Sequence, residues 1–137
     1  MIAADSSVVV ASIARWHVAH QQARAALAGM DARLPAHAAI ETTSTLSRMP
    51  EGQRMSAPLV LEALRRDFPK KWLALSAKDQ QSYLEKAVAN ELRGGTLYDA
   101  LIAATAAKHG ATLISADRRA QPTYEAMGVQ AQFIDPE

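Results

Sequence analysis

Thr96-Leu97-Tyr98-Asp99-Ala100-Leu101-Ile102-Ala103, running on to His109-Gly110 and then to Thr112-Leu113-Ile114-Ser115-Ala116-Asp117, is the stretch whose reading decides the fold. Thr96 and Asp99 stand at capping-box spacing ahead of the apolar run Leu97–His109, which predicts a helix stopped by Gly110. Thr112–Ser115 then reads as a compact strand, Asp117–Met127 as a helix ended by Gly128, and Val129–Ile134 as a last strand in which Gln130 and Gln132 alternate with apolar residues. Strands separated by helices pair in parallel, so this half of the chain predicts an α/β layer on a small parallel sheet.

Working back toward the N-terminus, Ser76-Ala77-Lys78-Asp79 is another capping-box match and opens a helix to about Leu92, broken by Gly94-Gly95. Lys71–Leu75 is a short strand candidate. Ser56-Ala57-Pro58 places a cap and a first-turn proline ahead of a helix that ends before Pro69. Pro35 to about Met49 and Ala19–Gly29 are helix-compatible. Met1–Ala4 is short and apolar enough for a small buried strand. Val8-Val9-Val10 is too short for periodicity to separate strand from buried helix.

Composition narrows the class. The 137 residues suit one domain, 1–137, with 49% hydrophobic and 21% charged residues. Fifteen Lys+Arg against 14 Asp+Glu leave a net charge of +1, which excludes a histone-like polycation and a charge-rich disordered tail. The absence of cysteine excludes disulfides, thiolate zinc sites and cysteine nucleophiles. No apolar run is long enough to span a membrane, and Met1–Asp5 lacks the basic start of a secretion signal, so the cytoplasm is the expected compartment.

The placement of the acids carries the chemistry. In a parallel sheet, a helix that follows a strand starts at that strand's carboxyl edge. A helix that precedes a strand also has its N-terminus there. Asp5 follows the first strand candidate, Asp99 sits in the first turn of the helix before Thr112–Ser115, and Asp117 follows that strand. All three are expected at one sheet edge, where open α/β folds place ligands. The position of Glu41, within the Pro35–Met49 helix, is not set by this reasoning. Each acid also has a local explanation: Asp99 as a capping-box member, Asp117 as an N-cap, Asp5 as a turn residue, Glu41 as a solvated helix residue. Grouped carboxylates repel one another unless a cation lies between them, and oxygen donors without His or Cys suit Mg²⁺ or Mn²⁺. Such a site suits phosphodiester hydrolysis.

At these residues the chain resembles the PIN-domain nucleases. The likeness rests on Ile2-Ala3-Ala4-Asp5-Ser6-Ser7, Ala39-Ile40-Glu41-Thr42, Tyr98-Asp99-Ala100-Leu101-Ile102-Ala103 and Leu113-Ile114-Ser115-Ala116-Asp117-Arg118-Arg119-Ala120. Within that family it resembles the VapC toxins of bacterial toxin–antitoxin pairs. The resemblance implies a three-layer α/β/α sandwich around a four- to five-stranded parallel sheet. It further implies an Mg²⁺- or Mn²⁺-dependent endoribonuclease whose metal-binding acids fall on Asp5, Glu41, Asp99 and Asp117, with Ser115 and Ser6 in support. A homodimer, an RNA substrate and a VapB-type antitoxin that covers the active site are implied as well. Some relatives carry a further acid shortly after the fourth, where this chain has Arg118-Arg119-Ala120-Gln121.

Other side chains are candidates for secondary roles. Arg118 and Arg119 lie beside Asp117, and Arg48 is seven residues beyond Glu41 on the same helical face, so all three are candidate phosphate contacts or simply solvated charges. Trp16, Trp72 and Tyr98 suit either stacking on unpaired bases or core and dimer contacts. His17, His20, His37 and His109 show no metal-ligand grouping and read as surface residues. A catalytically inactive PIN-like module that binds RNA or protein is the alternative of a different class. A haloacid-dehalogenase-type phosphatase fits poorly because Ser7 stands where its second Asp belongs, and no mid-chain Asp has the context of a phospho-receiver.

Overall fold

The computed structural model describes residues 1–135. Three strands, β1 (Ile2–Ala4), β2 (Thr112–Ser115) and β3 (Ala131–Phe133), form a parallel sheet in the order β1-β2-β3. The register pairs Ala3 with Leu113 and Leu113 with Ala131. Two single parallel bridges, Ala3 with Arg33 and Pro35 with Leu73, extend the sheet beyond β1, so five chain segments run side by side. The expected strand at Lys71–Leu75 is thus reduced to one bridge. Pro35 has no N–H to carry a longer ladder.

Seven helices surround the described sheet: α1 (Ser6–Ile13), α2 (His20–Leu27), α3 (Ala36–Ser47), α4 (Ala57–Asp67), α5 (Ala77–Ala89), α6 (Thr96–Lys108) and α7 (Gln121–Ala126). Successive strand residues point to opposite faces, and Leu113 and Ile114 of β2 are both buried, as are Ala3 and Ala4 of β1. Both faces are therefore covered, giving a three-layer α/β/α sandwich. Burying one residue such as Leu113 contributes about 2 kcal/mol before packing is counted. Buried Ala100, Ala103 and Ala106 recur along α6, where small side chains let the helix lie close to β2. Val8-Val9-Val10 is helical in α1, because the Asp5 side chain accepts the Val8 N–H and starts the helix there.

Several boundaries differ from the sequence reading. Thr96 is not a cap: Gly95 takes the N-cap position, and the Thr96 hydroxyl bonds to Arg93 in the preceding loop. Asp99 is therefore free of the capping role. The helix expected over Asp117–Met127 is split into a single 3-10 turn at Arg118–Ala120 and α7, since Asp117 caps the turn through the Arg119 N–H. Ser76 does cap α5, accepting from Asp79 N at 3.1 Å, but the helix ends at Ala89 rather than near Leu92. Gly110 and Gly128, at φ +67° and +73°, take the left-handed conformation needed just past α6 and α7.

Candidate active site

The carboxyl ends of β1 and β2 converge. The Asp5 N–H donates to the Ile114 carbonyl at 3.0 Å, and the Ala116 N–H donates to Ser7 Oγ at 2.8 Å. These bonds tie the start of α1 to the turn after β2. A cleft of about 490 Å³ opens at this edge, lined among others by Asp5, Asp99, Asp117, Arg119, Trp16 and His17. The three aspartates expected at one edge thus share one cavity. Glu41 lines an adjoining hollow with His37, Ile40, Arg48 and Tyr98, and Thr45 borders both.

Asp5 is buried at 2% exposure, yet both oxygens of its carboxylate have donors, with acceptor capacity left on Oδ2. Oδ1 accepts from Ser7 Oγ at 2.6 Å and from Val8 N at 3.1 Å, while Oδ2 accepts from Tyr124 Oη at 2.6 Å. Burial pushes its pKa up, and the surrounding hydroxyls of Ser115, Ser7 and Tyr124 pull it back. The Tyr124 phenol is itself pushed up, by burial and then by the Asp5 charge. Tyr124 and Ser7 are the parts of the site that the sequence reading missed. A buried hydroxyl serving an acid more than a hundred residues away leaves no local pattern.

Asp99 is half-buried in the first turn of α6. Burial, followed by the charges of Glu41, Asp5 and Asp117, raises its pKa from the ordinary 3.8 to about 6. Asp99 therefore feels the charges of the other three predicted acids, and Glu41 feels that of Asp5. Glu41 is raised by burial and by Asp5, against the opposing Ser6 hydroxyl. Its Oε1 is buried without a hydrogen-bond partner and lies 3.6 Å from His37 Nε2, too far for a bond. Burial holds His37 below its usual pKa, so it does not supply the missing positive charge.

Asp117 is oriented from below. Ser115 Oγ, wholly buried, accepts the Asp117 N–H at 3.0 Å and lies 3.3 Å from Ser7 Oγ. Asp117 Oδ1 accepts from Arg119 N and Nε at 3.0 and 3.1 Å. Arg119 lines the cleft, whereas Arg118 turns away. Its guanidinium pairs with Asp135 at 2.9 and 3.1 Å and lies over Phe133. Arg48 closes α3 beside Glu41. Trp16 and Tyr98 are exposed rather than core residues, while Trp72 is half-buried beside Phe68 in a separate hollow.

Among the described residues, no three His, Asp or Glu side chains are close enough to form a metal-ligand group as they stand. The expected mutual contact of the acids is therefore an electrostatic grouping and not a ready-made shell. The donor set nevertheless suits a hard cation: it is all oxygen, it is mutually repulsive, and Glu41 Oε1 is an unsatisfied buried acceptor.

The sequence matches the model of the PIN domain over residues 2–125. The chain belongs to the PIN-domain family. PIN-domain relatives include Ribonuclease VapC40 of Mycobacterium tuberculosis, 39% identical over 135 residues that cover 98% of this chain and 99% of the relative. Ribonuclease VapC27 of the same organism is also 39% identical, over 93% of each chain. The fold is shared with the crystal structure of FitAcB from Neisseria gonorrhoeae, at TM-score 0.70 and 20% identity over 98% of this chain and 97% of that one. It is shared too with FitAB bound to an IR36 DNA fragment, at TM-score 0.71 and 18% identity over 99% and 95%. This PIN domain thus spans essentially the whole length of its relatives. No helix among its described residues is long and apolar enough to cross a membrane.

Proposed function

We propose that this PIN domain is an Mg²⁺- or Mn²⁺-dependent endoribonuclease, the toxin of a toxin–antitoxin pair. The observation that carries the reading is the gathering of Asp5, Asp99 and Asp117 in one cleft at the sheet edge, with Glu41 in the adjoining hollow and its charge acting on Asp99. The near full-length similarity to two ribonucleases of the VapC type supports RNA as the substrate and a VapB-type antitoxin as the partner.

Asp5, Asp99 and Asp117, with Glu41 directly or through water, are the residues that would hold the cation. When bound there, a divalent ion polarises a phosphoryl oxygen and makes hydroxide available near neutral pH. Glu41 or Asp99 is the carboxylate that would assist removal of a proton from the attacking water. Arg119, at the same cleft, offsets the phosphate charge. Ser7, Tyr124 and Val8 N hold Asp5 in one orientation, Ser115 fixes the Asp117 backbone, and the Ser6 hydroxyl favours the ionised form of Glu41. Water adds to phosphorus and the ester oxygen leaves with a proton, so no side chain becomes covalently modified.

Action as a homodimer in the cytoplasm belongs to the same proposal. Exposed apolar residues such as Leu84 and Val88, one turn apart on α5, support a protein-covered face. The rival reading, a non-catalytic PIN-like module, predicts metal-independent RNA or protein binding and no products. The decisive assay incubates the purified chain and Asp5→Asn with total RNA, in Mn²⁺, in Mg²⁺ and in EDTA. Discrete fragments from the parent with metal alone support the enzyme. Intact RNA under every condition, or equal cutting by Asp5→Asn, overturns it.

A further inference from the structure

The cleft has a wall that the chemistry above leaves unused. Trp16 is 40% exposed, although an indole of that size is usually covered. Its Nε1–H donates to the Gln53 carbonyl at 3.2 Å, a bond joining loops 37 residues apart. The ring is thus held by its edge while much of the residue remains exposed. His17 lies next to it, ring centroids 5.8 Å apart and planes inclined at 36°. His17 Nδ1 accepts the Ala19 N–H at 3.0 Å, which leaves the ring proton on Nε2, at the edge turned away from that backbone contact. Both residues line the same cavity as Asp5, Asp99, Asp117 and Arg119.

We propose that Trp16 and His17 form a nucleobase subsite beside the acids, in which an unpaired base stacks on the indole and accepts a hydrogen bond from His17 Nε2–H. This inference rests on RNA being the substrate and adds which part of the RNA is gripped. A base in a duplex has both faces covered by its neighbours, so a stacking platform selects single-stranded segments, loops or bulges. Every base has a face to stack, but only an acceptor-bearing edge satisfies an N–H donor, so His17 supplies the preference. Burial, together with the neighbouring His20 charge, holds His17 below its usual pKa, which keeps it a neutral single donor. Phosphate contacts at Arg119 give affinity without sequence choice; the Trp16–His17 wall supplies what they lack.

The test uses Trp72→Phe, which leaves Trp16 as the sole indole, since the chain has two tryptophans. In EDTA, a single-stranded RNA decamer is titrated while Trp16 emission and the anisotropy of the labelled RNA are followed together. The expected result is that Trp16 emission is quenched by at least a third along the anisotropy curve, with a much smaller response to the same RNA as a duplex. In Mn²⁺, Trp16→Ala raises KM about tenfold or more with kcat within twofold, Trp16→Phe restores most of the loss, and His17→Gln changes the ranking of substrates that differ in one unpaired base. Melting curves confirm that each variant is folded. Cleavage by the parent without any Trp16 response overturns the subsite and spares the enzyme. Quenching without cleavage does the reverse, and neither response overturns both.

Discussion

Asp99→Asn is predicted to make the metal-free protein more stable while abolishing cleavage. Asp99 is half-buried, and burial, followed by the charges of Glu41, Asp5 and Asp117, raises its pKa from 3.8 to about 6. At about 1.4 kcal/mol for each pH unit, that rise corresponds to roughly 3 kcal/mol against the ionised form. Much of the group still reaches solvent, which lessens both the burial penalty and the repulsion, so about 1 kcal/mol is the expected gain on replacing it with neutral Asn. For a chain of this length that is about 3 °C in Tm. The sign with pH follows from the direction of the shift. The folded state binds the Asp99 proton more tightly than the unfolded chain does, so the penalty is largest above pH 6 and fades as pH falls toward 4. Thermal melts in EDTA at pH 7.5 and pH 5 would show the variant ahead at the higher pH and the gap closing at the lower. A variant less stable than the parent at pH 7.5, or a gap that widens on acidification, would refute the argument that burial and repulsion disfavour the Asp99 charge.

Tyr124→Phe removes the hydroxyl that donates to Asp5 Oδ2 at 2.6 Å and leaves a buried carboxylate oxygen without that donor. The expected loss is about 2 kcal/mol, or about 6 °C in Tm by circular dichroism, and a change under 1 °C would contradict it. Arg119→Gln should leave the melt within about 2 °C but lower the slope of log K against log salt for RNA binding by about 1. Arg118→Gln, whose parent side chain pairs with Asp135, should leave that slope unchanged; equal effects from the two would reject the assignment of Arg119 to the cleft.

The fold was legible where strands and helices alternate. Asp5, Asp99 and Asp117 share an edge because a parallel strand ends, and the helices flanking it begin, on the same side. Glu41 was not legible by that logic, because α3 follows the bridge segment near Pro35 rather than a regular strand; the adjoining hollow and its charge interactions with Asp99 and Asp5 reveal the association. Thr96 and Asp99 have the spacing of a capping box, but Gly95 supplies the N-cap and the Thr96 hydroxyl is already committed to Arg93. Local spacing cannot report that competition. Arg118 and Arg119 are neighbours in sequence and point to different surfaces, since the 3-10 turn sends one to Asp135 and the other to Asp117. The support that Tyr124 gives Asp5 depends on tertiary packing alone, whereas Ser7 is a local partner two residues away.

The most direct test of the central claim is a calorimetric titration of Mn²⁺ into the metal-free parent and into Asp5→Asn and Asp99→Asn. Saturable binding by the parent, weakened at least tenfold in each variant whose fold is intact, is the predicted result. Parent and variants taking up the ion with the same affinity would mean that these carboxylates do not hold it.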